Sequence, residues 1–99
     1  MNYGKILSVA SNGNTDFTWN GGTGMFAAAG STWASAKLTL QHKVGDTYVD
    51  IGSDAVFDAA NGQTLFTTAS RNLRIVTASI SGTPNVIAEV VPITETPAY

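Results

Sequence analysis

No cysteine occurs among the 99 residues, which excludes a disulfide framework, a thiolate metal site and a cysteine nucleophile. Charge is also scarce. Asp, Glu, Lys and Arg make up 12% of the chain, against roughly 25% in ordinary globular domains. Five basic residues against seven acidic ones leave a net charge of -2. That balance offers no footprint for nucleic acid or an anionic membrane, because both require clustered Lys and Arg. Apolar runs are short, and stretches such as 26–29 and 86–88 fall far below the ~20 residues of a membrane span. The opening Met1-Asn2-Tyr3-Gly4-Lys5 has no basic segment followed by an apolar one and does not read as a secretion signal. Good helix formers are few, and no window of a dozen residues repeats its apolar positions at three and four.

What is present is strand signal. A hydrophobic fraction of 43% suits a chain that folds, and its length suits one domain. Lys37-Leu38-Thr39-Leu40-Gln41-His42-Lys43 alternates strictly, Val44-Gly45-Asp46 turns the chain, and Thr47-Tyr48-Val49-Asp50-Ile51 returns. Two alternating runs joined by a short Gly/Asp loop specify a β-hairpin. Further strands are expected at 5–10, 17–19, 25–29, 56–57, 64–67, 73–81 and 86–93, with turn clusters such as Asn20-Gly21-Gly22 and Gly82-Thr83-Pro84-Asn85 between them. About eight short strands at this spacing predict an all-β fold, a single antiparallel β-sandwich or small barrel over residues 1–91. Residues 92–99, with two prolines, are expected to form an extended C-terminal arm. The more apolar face of each strand places Ile6, Leu38, Leu40, Val49, Ile51, Leu73, Ile75, Val86, Ala88 and Val90 in the predicted core.

Residues able to carry chemistry are sparse. His42 is the sole histidine, and no Gly-x-Ser-x-Gly elbow accompanies it; it reads as a half-exposed strand residue. Asp46, Asp50, Asp54 and Asp58 recur every fourth position, but the hairpin distributes them over different loops and strands, so they read as solvated turn acids. Gly21-Gly22-Thr23-Gly24 lacks the Lys-Ser/Thr pair of a phosphate loop and reads as a tight turn needing positive φ. No catalytic, cofactor or metal site is therefore expected. Phe17 and Trp19 share a strand face that is expected to be core. Trp33, in Gly30-Ser31-Thr32-Trp33-Ala34-Ser35, suits either the core or an interface anchor. Arg74 sits mid-strand among apolar residues and is expected either to snorkel at the surface or to pair between subunits with a carboxylate such as Glu89. The arm is expected to lie on a neighbouring subunit with Ile93 and Tyr99 as apolar anchors, the alternative being a tail folded back on its own domain.

Four stretches carry a resemblance. Thr18-Trp19-Asn20-Gly21-Gly22-Thr23-Gly24-Met25-Phe26 is followed by Gly30-Ser31-Thr32-Trp33-Ala34-Ser35-Ala36-Lys37-Leu38-Thr39-Leu40-Gln41. Then come Gly45-Asp46-Thr47-Tyr48-Val49-Asp50-Ile51-Gly52 and Asn72-Leu73-Arg74-Ile75-Val76-Thr77-Ala78-Ser79-Ile80-Ser81-Gly82-Thr83. Together they resemble a group of small virion-associated proteins of tailed bacteriophages, over about residues 4–91. Two departures are Phe66-Thr67-Thr68-Ala69-Ser70-Arg71, where that group often has a Leu-Pro segment, and the extension over 92–99. The shared motifs are turn signatures, so they specify a fold more than a role. The resemblance implies a structural virion component rather than an enzyme: a capsid decoration (cement) protein, expected as a homotrimer on the major capsid protein or another virion protein. A neck, tail or head-fibre component is the alternative, or a carbohydrate-binding module on a fibre using its exposed aromatics. The expected location is the virion, assembled in the host bacterial cytoplasm, with no cofactor.

Overall fold

Alternation sets the strands: Leu38 and Leu40 point one way and Lys37, Thr39 and Gln41 the other. In the computed structural model, which describes residues 5–93, this pattern repeats through nine strands. They are β1 (Lys5–Val9), β2 (Gly13–Trp19), β3 (Gly22–Thr32), β4 (Lys37–Val44), β5 (Thr47–Asp50), β6 (Val56–Asp58), β7 (Gly62–Thr68), β8 (Arg71–Ala78) and β9 (Asn85–Pro92). Sheet A has the order β1-β9-β3-β7. Sheet B has the order β2-β8-β4-β5, and β6 also pairs with β4. Every pairing is antiparallel. The chain changes sheet at each connection except those joining β4, β5 and β6, which makes the expected β-sandwich.

The hairpin forms as expected. Val44 pairs with Thr47 across a two-residue loop, and Gly45 at φ 63° suits the first central position of a type II′ turn. The link between β2 and β3 uses Gly21 at φ 92° and Gly22 at φ 95°, the positive φ expected of that glycine cluster.

Between the sheets lie Trp19, Phe26, Leu38, Leu40, Leu73, Ile75, Val86 and Val90, all fully buried. Trp19 packs tilted against Phe66 at 5.1 Å between ring centroids, and Phe26 stacks on Phe57 at 4.7 Å. Gly24 lets the indole in, since a Cβ there would sit 2.5 Å from Trp19 Cη2.

Two expected core residues are elsewhere. Ile6 is 66% exposed, because Leu7 and Val9, not Ile6 and Ser8, face inward on β1. Val49 is 39% exposed; it faces the interior side of β5, but β5 is the outermost strand of its sheet. Ile51 packs half-buried against the core. Strand ends also shift. β3 runs on to Thr32, and β9 includes Pro92, which pairs with Gly24. Residues 94–99, Tyr99 among them, lie outside the described residues.

Candidate interaction faces

The two sheets present unlike outer faces. On sheet B the register brings Asp16, Arg74, Gln41 and Asp50 into one row across four strands. Arg74 donates from Nε to Asp16 Oδ1 at 2.6 Å and from Nη2 to Oδ2 at 3.1 Å. Its guanidinium also lies over the Tyr48 ring, 3.7 Å from the centroid. Gln41 Nε2 donates to Asp50 Oδ1 at 2.9 Å. The Arg74 hydrogen bond holds the Asp16 carboxyl below its ordinary pKa, and Asp16 raises Arg74 in turn. Lys37, Lys43 and Asp58 occupy the same face.

Sheet A carries a different surface. Its outward rows are Ser8, Ile87 and Ala29; then Ile6, Glu89, Ala27 and Gln63; then Val91, Met25 and Leu65. Ile6 and Leu65 are 66% and 65% exposed, and Ile87 is 46% exposed. Ile93 extends this face, its N–H donating to the Thr23 carbonyl at 2.9 Å. Among the described residues of the face, Glu89 is the sole ionisable side chain, and it stands near the centre. An open cleft of about 530 Å³ runs beside it, lined by Ala27, Ala29, Asn61, Gln63 and Ile87.

The candidate residues fall on different parts of this frame. Glu89 and Ile93 share the apolar face of sheet A. Arg74 lies on the opposite face of the sandwich from Glu89, tied within its own chain to Asp16. Trp33 sits half-buried at the turn between β3 and β4, packed against the core. Its Nε1 donates to Asn61 Oδ1 at 2.8 Å, and the same oxygen accepts from Gly30 N at 3.0 Å. Trp19 is buried, as expected of that strand face. Sequence spacing did not single out Leu65, Met25 or Asn61; alternation alone could have flagged Leu65 as facing away from Phe66.

The remaining polar cluster closes one end of the interior. Arg71 Nη1 and Thr68 Oγ1 each lie 3.4 Å from His42 Nδ1. Arginine only donates, so Nδ1 acts as acceptor and the imidazole is neutral with its proton on Nε2. Burial, with the Arg71 charge second, pushes the His42 pKa down. Asp46, Asp50, Asp54 and Asp58 are all exposed along the β5–β6 side. Among the described residues no group of three or more His, Asp or Glu side chains is placed to hold a metal ion. Comparison with known protein families, with curated proteins and with solved structures finds no match to this chain.

Proposed function

We propose that the chain is a structural component of a bacteriophage particle, a capsid decoration (cement) protein that packs on the head surface and stabilises the shell. The observation that carries this reading is the segregation of charge among the described residues: six charged side chains on the outer face of sheet B (Asp16, Lys37, Lys43, Asp50, Asp58, Arg74) and one, Glu89, on that of sheet A. A sheet face bearing Ile6, Met25, Leu65, Ile87 and Val91 around one carboxylate gains free energy when covered, at about 25 cal/mol per Å² of apolar surface. The resemblance of the turn motifs to small phage virion proteins supports the same assignment.

The occupant of that face is a larger virion protein, the major capsid protein, presenting an apolar surface with a Lys or Arg opposite Glu89. Stacking two copies of the face about a two-fold axis would bring the central carboxylates together, an unfavourable like-charge contact. The polar face of sheet B then meets water. Many identical copies, arranged as homotrimers, make modest affinity per copy sufficient because neighbours share contacts.

The test is particle composition together with docking. Purified virions should carry the chain at a stoichiometry comparable to the major capsid protein, and a copy number of a few per particle refutes the decoration role. Ile87→Lys should abolish binding to heads stripped of the chain, with the monomer's unfolding curve unaltered. Undiminished binding by that variant removes the assignment of the face.

A further inference from the structure

Sheet A ends in two open edges. Among the described residues β1 pairs only with β9 and β7 only with β3. β7 has seven residues in regular register, and no charged residue or proline occurs from Ala59 through Ser70. An uncharged, β-prone edge of this length is a template for another strand. The two edge strands also carry the two most exposed large apolar side chains among the described residues, Ile6 on β1 and Leu65 on β7. Both stand on the outer face of the sheet.

The surroundings of the two edges are complementary. Beside β7 a groove of about 370 Å³ lies between residues 51–55 and residues 64–67, with Ile51 and Ala55 facing Thr64 and Phe66, and with Asp54 in its lining. Main-chain bonds to Leu40 hold the far wall, Ile51 N to Leu40 O at 3.1 Å and Leu40 N to Ala55 O at 3.0 Å. On β1, Lys5 and Leu7 share the inward-facing side with Val9, while Ile6 and Ser8 face out. One edge offers a groove with a carboxylate; the other offers a strand with an ammonium and an aliphatic side chain on the matching side.

We infer that β7 pairs with β1 of a second copy of this chain, joining the two A sheets edge to edge. Strand directions alternate through β1, β9, β3 and β7, so β1 and β7 run opposite ways. A second copy placed alongside, its sheet facing the same way, therefore meets β7 in antiparallel register. With Ile6 set opposite Leu65, Lys5–Val9 lies against residues 62–66, and all of β1 is paired. Ile6 and Leu65 then cover each other as a cross-strand pair on the outer face. On the inner side Leu7 falls opposite Thr64 and Lys5 opposite Phe66, so both enter the groove, Lys5 toward Asp54. Pairing β7 with a second β7 about a two-fold axis instead sets two 51–55 loops, each with its Asp54, under one joint. The β1–β7 contact is heterologous; it passes from copy to copy and closes as a ring where the rotation between copies returns on itself. It concerns contacts between copies and does not depend on what covers the outer face of sheet A.

The absence of native cysteine makes a direct test clean, and it uses the purified chain alone, so that head binding does not bear on it. Chains carrying Ile6→Cys and Leu65→Cys are mixed and oxidised gently. The mixed disulfide should exceed either self-disulfide at least tenfold, and Thr64→Cys, which faces the other way, should cross-link to Ile6→Cys at least tenfold less than Leu65→Cys does. In sedimentation, Lys5→Glu should weaken self-association about tenfold, and the double variant Lys5→Glu/Asp54→Lys, which restores opposite charges across the joint, should recover most of it. A Leu65→Cys chain that cross-links to itself as readily as to Ile6→Cys, absence of the mixed disulfide, or a charge swap that fails to recover association would each overturn the inference. So would a wild-type chain that stays monomeric at its solubility limit or stops at a dimer.

Discussion

Asn61 clasps Trp33: its side-chain oxygen accepts the indole N–H at 2.8 Å and, at 3.0 Å, the Gly30 N–H. The loop before β7 thereby fixes both the end of β3 and the turn that follows it, although 28 residues separate the two side chains. Asn61→Ala leaves both donors without this acceptor and should cost about 1–2 kcal/mol, read from the shift in the urea midpoint. Asn61→Asp keeps an acceptor in place and should recover most of the loss. Equal destabilisation by the two variants would show that the clasp contributes packing and not hydrogen bonding.

The turn held by that clasp is strained. Ala36 N donates to Trp33 O at 2.8 Å, and the two central residues, Ala34 and Ser35, have φ of 50° and 64°. Consecutive positive φ angles define a type I′ turn, for which Asn-Gly is the favoured pair. A non-glycine residue in the left-handed region costs roughly 1 kcal/mol or more. Ser35→Gly should therefore stabilise the monomer by about 0.5–1 kcal/mol in urea unfolding, after allowance for the freer unfolded chain. A loss of stability would mean that Ser35 makes a compensating contact in solution.

This turn also marks where sequence reasoning stopped. The 37–51 hairpin was legible because strict alternation met a Gly at the loop. Ala34-Ser35 carries no turn signal, whereas Gly30 does, and β3 runs past Gly30 to Thr32. Face assignment failed at Ile6 for a physical reason. Alternation separates two faces but cannot say which is inward when both are apolar, and the outer face of sheet A is apolar because it carries Ile6, Ile87 and Leu65. The same property makes that face a candidate for docking. The Arg74–Asp16 pair spans 58 residues, and no spacing rule could have matched them.

Stability should respond to pH through His42 and Asp16, in the same direction. His42 has its pKa lowered from 6.5 in the fold, chiefly by burial. In the window between the folded value and 6.5 the unfolded chain binds more protons, so stability is full above that window and falls as pH falls through it. Asp16 has its pKa lowered from 3.8, chiefly by the Arg74 hydrogen bond. Its contribution is present above 3.8 and is lost as pH drops through the depressed value; with Asp16 49% exposed, added salt should shrink it. His42→Gln should flatten the loss of urea stability that sets in as pH falls below 6.5, leaving the more acidic loss intact. An identical profile for wild type and variant would assign the first window elsewhere.

Trp19 and Arg71 are register partners on β2 and β8, and each buries a donor, Trp19 Nε1 and Arg71 Nε, without a protein acceptor. A buried N–H lacking a partner carries its desolvation cost into the folded state. The indole nevertheless stays because its ring fills the space over Gly24 and against Phe66. The two contributions oppose each other, so the choice of replacement separates them. Trp19→Phe removes the unpaired donor while keeping an aromatic ring against Phe66, and should cost about 1 kcal/mol or less. Trp19→Ala removes the ring as well and should cost about 3–5 kcal/mol, the usual range for deleting a buried Trp. Both are read as urea-midpoint shifts at constant slope. If Trp19→Phe proved as costly as Trp19→Ala, the indole N–H would have to be satisfied in solution, and its packing over Gly24 would not be the reason for its place in the core.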